Sequence, residues 1–181
     1  MPVPSSPPLT PPPTARLTFR QMTVADLDDM ASLLGDPAVM EYYPRPKTRD
    51  EAQRWIDWNT TNYAEHGYGL WIVETTAGDF VGDCGLTWQS VNGQRMLEVG
   101  YHVRRELQGR GYATEAAAAC CDFARDALGL TDLVAIIHPA NLASQRVAEK
   151  IGLRYVGDDL DGSTVRSVYG TAPSRPHDGR K

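Results

Sequence analysis

Between residues 15 and 170 the apolar positions fall into short runs whose period changes repeatedly. "ARLTFR" (Ala15–Arg20) alternates, with Leu17 and Phe19 on one face, and predicts a strand. "TVADLDDMASLL" opens on Thr23, followed three residues later by Asp26, an N-cap signal, and Gly35 closes the helix. Thr48 and Glu51 form a second capping-box pattern, after which Ala52, Trp55, Ile56 and Tyr63 keep helical spacing. Three strands follow: Gly69–Thr76 and Phe80–Trp88, joined by the turn "AGD", and Met96–Val103 after "NGQ". Gly111 to Leu128 predicts a long helix stopped by Gly129. Leu133–His138 is a β-branched run too short and too apolar for a surface helix, so it predicts a central strand. Asn141–Ile151 is a helix capped by Asn141 and ended by Gly152, and "RYVGD" and "VRSVYG" supply the last two strands.

The order is β-α-α-β-β-β-α-β-α-β-β, a meander followed by a strand–helix–strand unit. It predicts an α/β (α+β) fold with a mixed, mostly antiparallel sheet of seven strands and helices on both faces.

A chain of 181 residues is long enough for one domain with a substantial core, which we assign to residues 15–170. Seven of the first thirteen residues are proline, which cannot donate to a helix or sheet ladder. Residues 1–14 are therefore expected to be an extended solvated tail, with a PxxP docking ligand as the alternative; residues 171–181 read the same way. The net charge of −5 argues against nucleic acid as a partner, since phosphate binding needs a dense basic patch. No apolar run approaches the ~20 residues that span a bilayer, so no membrane association is expected. Cys84, Cys120 and Cys121 are odd in number, and two are adjacent; they form neither a disulfide framework nor a zinc pattern. Free thiols in a reducing cytoplasm, and no metal, are the expectation.

The candidate chemistry begins at "LQGRGYATEA", where Gly109 and Gly111 stand directly before the long helix. Two mechanisms compete. The glycines can simply permit positive φ in a strand-to-helix turn. Alternatively, bare amides at a helix N-terminus face an anion, aided by the helix dipole. The stretch is neither a Walker loop nor the Rossmann fingerprint, because Thr114 stands where the third glycine would be.

Gln108-x-x-Gly111-x-Ala113 resembles the Q/R-x-x-G-x-G/A signature of the GNAT (Gcn5-related N-acetyltransferase) superfamily, and its neighbours extend the likeness. "LEVGYHV" looks like that family's fourth strand; "IHPANLASQRVAEKIGLRYVG" looks like its fifth strand, last helix and following strand. "YATEA", "NLAS…AEKIG" and "RLTFRQMTVADLDDMASLL" are similar to the ribosomal-protein alanine N-acetyltransferase branch. The resemblance covers Ala15 to Val156. It implies the GNAT fold, with splayed fourth and fifth strands, and transfer of an acetyl group from acetyl-CoA to an amine. The acceptor is then a protein N-terminus, a peptide or a small-molecule amine, and a homodimer is compatible with it. The alternative is an acyl-CoA-binding module without transferase activity.

By the same resemblance the amides of Gly109, Arg110, Gly111, Tyr112, Ala113 and Thr114 hold the pyrophosphate of the coenzyme, and Gln108 braces the turn. The Arg110 side chain either adds a charge-assisted contact or is solvated at the loop tip. The pantetheine arm lies between the splayed strands, bonding chiefly to Val103 and to Asn141, which is also a helix cap. Arg146 and Lys150 reach a phosphate or form a solvated helix face.

Acyl transfer needs a neutral amine. An α-amine, pKa about 7.7–8.0, is roughly 10% neutral at pH 7, whereas a lysine, pKa about 10.4, is neutral in roughly one molecule in 2,500. The leaving thiol, with a pKa near about 8.5, needs no strong acid. Glu98, on the fourth strand, is the candidate base; an exposed strand glutamate or a structural ion pair is its alternative. His102 shares its strand parity, and His138 is placed to face the cleft, though a non-catalytic role is the plainer reading for both. The family often places a tyrosine acid seven residues after the asparagine, but here that position is Ala148. Ser144, one turn on from Asn141, is assigned instead to hydrogen-bond the departing thiolate, or to touch the cofactor backbone as a polar helix residue. The acceptor region carries Glu41, Tyr42, Tyr43, Trp55, Trp58, Tyr63 and Tyr68; Trp55 reads as core, and the loop residues Tyr42 and Tyr43 are open to a cleft role.

Overall fold

Side-chain caps mark the start of α2, of α4 and of the 3₁₀ turn ahead of α1. A computed structural model gives the structure over residues 10–161 and 163–171. After β1 (Leu17–Gln21), Thr23 and Asp26 bond reciprocally in a capping box, opening a 3₁₀ turn that leads into α1 (Leu27–Gly35). Thr48 and Glu51 do the same for α2 (Arg49–His66), which ends on a left-handed Gly67. Then come β2 (Leu70–Thr75), β3 (Phe80–Val91), β4 (Gln94–Val103), α3 (Tyr112–Leu128), β5 (Leu133–Ile137), α4 (Leu142–Lys150), β6 (Arg154–Asp161) and β7 (Thr164–Gly170). The element order agrees with the expected one. Strand β3 runs three residues further than the expected end at Trp88, because Val91 is buried beyond the polar Gln89 and Ser90. It turns into β4 through the two-residue hairpin Asn92–Gly93.

The seven strands lie in the order β1-β2-β3-β4-β5-β7-β6. All neighbours are antiparallel except β4 and β5, which are parallel and pair only at Leu97↔Leu133 and Glu98↔Val134. Beyond those residues the two strands diverge. Alternation along β3 and β4 assigns the sides of the sheet. Trp71 packs edge-on to Phe123 of α3, and the Sγ atoms of Cys84 and Cys120 lie 3.6 Å apart between β3 and α3. Asp83 and His102 point the other way, toward α2, where Trp55 meets them. All three cysteines are free thiols. The main core fills both faces around Leu17, Met30, Leu34, Ile56, Trp71, Leu86 and Leu97.

A smaller apolar cluster joins Val91 at the β3–β4 tip to Val134 and Val168, with Met96 and Ile136 against it. Above it the tip is clasped to β6. The Asn92 N–H donates to Asp159 at 2.6 Å, its side-chain amide donates to the Asp158 carbonyl at 2.8 Å, and its side-chain oxygen accepts from Leu160 N at 3.1 Å.

Of the proline-rich stretch expected to be a tail, residues 1–9 lie outside the described residues, as does most of the stretch from 171 on. Residues 10–14 form no helix or strand, but Thr14 is tied down: its hydroxyl donates to Glu115 at 2.6 Å and its N–H to Leu17 O at 2.9 Å. No helix among the described residues is long and apolar enough to cross a membrane.

Candidate active site in the gap between β4 and β5

The divergence of β4 and β5 opens a cleft of about 820 Å³. Its walls come from β4, β5, the start of α3, the cleft side of α4, and the α1–α2 segment with α2. Backbone alternation decides what β4 offers it. Arg104 N bonds Val81 O on β3, so residue 104 and every second residue before it face β3. The amides of Tyr101 and Val103 therefore face the gap, where β5 has already turned away. The Val103 carbonyl is taken by the Gln108 side chain at 3.0 Å, which ties the end of β4 to the loop ahead of α3.

That loop carries Gly109 at φ 75° and Gly111 at φ 83°, both in the left-handed region. Gly111 is the N-cap of α3 rather than its first residue, so the unpaired amides of the first turn, from Tyr112 on, open toward the cleft. The loop is clamped from behind by Arg16. Its guanidinium pairs with Glu115 at 2.6 Å, donates to the Arg110 carbonyl at 3.1 Å, and lies over the Tyr112 ring at 4.5 Å. The sequence signals nothing of this clamp. Gln108, Gly109, Gly111, Tyr112, Ala113 and Thr114 all line the cleft. Arg110 is exposed and is not part of the lining; its carbonyl is the clamp's anchor.

Asn141 caps α4 by accepting from Ser144 N at 3.1 Å, and both residues line the cleft with Val103, Arg146 and Lys150. The Ser144 hydroxyl donates to the Tyr101 phenol oxygen at 3.2 Å, and that phenol donates to the Ser144 carbonyl at 2.9 Å. Burial leads the causes that raise the Tyr101 pKa. Tyr101 was not singled out in the sequence, where its parity is opposite to that of Glu98. Ala148 is fully buried against the core, so its side chain does not reach the cleft.

Glu98 stands at the fork itself. One carboxylate oxygen accepts from Ile136 N at 3.3 Å, on the first stretch of β5 that has left β4. Burial is the dominant influence and pushes the Glu98 pKa up to about 7, against the pull of the Ile136 amide, Arg166 and His102. Further along the same face, His102 Nδ1 lies 2.7 Å from Asp83 Oδ1, and its Nε2 lies 2.7 Å from the Tyr43 hydroxyl. The other Asp83 oxygen accepts Trp55 Nε1–H at 3.0 Å. Asp83 escaped notice, although an acid inside the apolar run "FVGDCGLTW" was a visible signal. His138 meets Tyr42 with ring centroids 5.4 Å apart, at the cleft edge. Trp55, expected in the core, is half-buried and lines the cleft as well. Among the described residues no three His, Cys, Asp or Glu side chains are grouped to hold a metal.

The chain is similar to known proteins over most of its length. A family model described as Acetyltransferase (GNAT) domain matches residues 16–154. The Bacillus subtilis protein YkkB is 40% identical over 144 residues, covering 78% of this chain and 84% of its own. The Aspergillus fumigatus FsC-acetyl coenzyme A-N(2)-transacetylase is 31% identical over 170 residues, covering 88% of this chain and 69% of its own. An acetyltransferase of Agrobacterium tumefaciens superposes with a TM-score of 0.76 at 27% identity, over 88% of this chain and 92% of that one. RimL, a ribosomal L7/L12 alpha-N-protein acetyltransferase solved with coenzyme A, shares the fold with a TM-score of 0.71 at 15% identity, over 88% and 96% of the two chains. With the diverging parallel pair, the glycine-flanked start of α3 and a family match across most of the chain, this protein belongs to the GNAT family of acetyltransferases.

Proposed function

We propose that the protein is an acetyl-CoA-dependent N-acetyltransferase that acetylates a primary amine, on a peptide N-terminus or a small molecule, by direct attack in a ternary complex. The observation that carries this reading is the continuity of the cleft. A single gap runs from the bare amides at the start of α3, past the gap-facing edge of β4, to the carboxylate of Glu98. Anion, extended amide-bearing arm and amine each find a matching surface along it.

The amides of Gly109 to Thr114 receive the pyrophosphate, with the dipole of α3 behind them. The pantetheine arm runs along β4 as an added strand and bonds Val103; the Asn141 side chain, whose oxygen caps α4, offers its NH₂ group to the same arm. Arg146 and Lys150 border the phosphate end of the cleft. At the other end Glu98 takes a proton from the bound ammonium. A base poised near the operating pH suits an amine whose own pKa is about 8. The neutral nitrogen attacks the thioester carbonyl, the tetrahedral intermediate collapses, and the thiolate leaves toward Ser144. There the hydroxyl, turning from Tyr101, donates a hydrogen bond to it.

Relatives support an amine acceptor without fixing its kind. One is named for N(2) transacetylation, and proteins of the same fold are named for spermidine and for a ribosomal protein. The test is a panel of peptides with free N-termini and of small amines, read by free-thiol release from acetyl-CoA. Acetyl-CoA binding by calorimetry without thiol release from any member would reduce the protein to a binding module. Absence of binding would remove the reading altogether.

A further inference from the structure

Turning a primary ammonium into an amide removes two protons from nitrogen. The departing thiolate takes back one, so each turnover must move a second proton out. Glu98 holds one proton at a time; a second acceptor beside the amine lets the tetrahedral nitrogen shed its second proton before Glu98 has emptied, and that proton then passes to the leaving thiolate.

The same face of β4 carries another proton-holding group. The Tyr43 hydroxyl contacts His102 Nε2 at 2.7 Å, and His102 Nδ1 contacts Asp83 at 2.7 Å. The Asp83 side chain has no solvent exposure and that of His102 only 8%, while Tyr43 is 43% exposed and lines the cleft. The unit is built from four places: β3, β4, the α1–α2 segment, and α2 through Trp55. Trp55 Nε1 can only donate, so Asp83 stays an acceptor and fixes the Nδ1 proton of His102 toward itself. The Nε2 lone pair of neutral His102 is then turned to the Tyr43 hydroxyl.

We infer that Tyr43, His102 and Asp83 form a second proton-accepting unit for the acceptor amine, with Tyr43 touching the substrate and passing its proton to His102. The inference rests on the amine acetylation proposed above. In this step an acceptor N–H bond breaks and an O–H bond forms on Tyr43. At the same time the former Tyr43 O–H bond breaks and an Nε2–H bond forms on His102. No electrons change hands, and Asp83 balances the imidazolium. The Tyr43 oxygen keeps a proton throughout the step, in keeping with a pKa raised by the packing of its hydroxyl end against His102 and by the nearby Glu98 and Asp83 carboxylates. Burial by itself lowers the His102 pKa; Asp83, with Glu98, outweighs it and outweighs Lys47, so the net shift is upward. His102 must be neutral to accept, so the unit works above that raised pKa and fails as the pH drops through it. Glu98 loses activity in the same direction.

The test is the pH dependence of thiol release between pH 5.5 and 9, using an amine that the wild type acetylates. Wild type, Tyr43→Phe and His102→Gln are compared, and thermal unfolding verifies that each is folded. The expected result is that each variant loses one unit of slope from the acid limb of log kcat. Each should also turn over about 10–100-fold more slowly at pH 8 with an unchanged KM for acetyl-CoA. If either variant keeps the wild-type slope, even at reduced rate, the residue only shapes the pocket and the unit is refuted while N-acetylation stands. If the wild type acetylates no amine at all, the inference falls together with the proposed function.

Discussion

The carboxylate of Glu98 hydrogen-bonds the backbone N–H of Ile136 at the point where β4 and β5 part. A side chain thus takes over a bond that the sheet has just stopped making. The same residue that ends the parallel ladder is therefore the base proposed for the amine, and its two duties pull in opposite directions.

Glu98→Gln separates them. Glutamine can still accept from Ile136 but cannot take a proton, so turnover should fall about 10²-fold and the acid limb should lose the one unit of slope that Glu98 supplies near pH 7. Acetyl-CoA affinity by calorimetry should hardly change. Stability should move the other way. The folded pKa of about 7 lies above the unfolded carboxylate value of about 4.3, so folding favours the protonated form. Wild type therefore loses stability as pH rises from the unfolded value to the folded one, by about 3–4 kcal/mol in all. Glu98→Gln should consequently unfold at a higher temperature than wild type at pH 8, with the advantage vanishing by pH 4. Equal turnover of both proteins across pH would dismiss Glu98 as the base.

Gly111→Ala places a Cβ at φ 83°, 3.4 Å from the Arg16 guanidinium. The left-handed backbone costs about 1–2 kcal/mol for an alanine. Calorimetry should show acetyl-CoA binding weakened by about tenfold or more as the loop relaxes, together with a lower unfolding temperature. Undiminished affinity would separate the α3 start from the pyrophosphate.

Arg16→Ala removes the clamp without touching the cleft. Its pair with Glu115 is partly exposed, so the stability loss should stay below about 1 kcal/mol. Acetyl-CoA affinity should nevertheless fall several-fold, because Glu115 is left as an unneutralised charge in the first turn of α3. Adding Glu115→Gln to that variant should recover part of the loss. A titration series on the two proteins decides the point; equal affinity of Arg16→Ala and wild type would refute it.

Ala148→Tyr places a tyrosine seven residues after Asn141, but the position is fully buried here. Overpacking should destabilise the fold by about 1–3 kcal/mol or more, and turnover should not rise. Denaturant unfolding measures the first effect and thiol release the second.

The local code was legible. Thr23 with Asp26, Thr48 with Glu51, and Asn141 announce three helix starts; the last two cap α2 and α4, while Thr23 caps the 3₁₀ turn that precedes α1. The parity of β4 put Glu98 and His102 on one face, where they are found. What stayed hidden depends on partners far along the chain. Arg16 and Glu115 are 99 residues apart, Tyr43 and His102 are 59, and Tyr101 and Ser144 are 43. Periodicity carries no information about such pairs. Only Asp83 left a trace, as a charge inside an apolar strand that needed a donor to be tolerated there.

The Asn92 clasp has a kinetic consequence. It joins backbone segments 66 to 68 residues apart, so this corner of the sheet closes only after β4, α3, β5, α4 and the start of β6 have been laid down between them. Loop-closure entropy must be spent before those three bonds return anything. The β3–β4 hairpin, by contrast, forms through a two-residue turn and local contacts. On the folding path, therefore, the strand that bears Glu98 takes shape early, and the wall that faces it is among the last parts of the molecule to arrive.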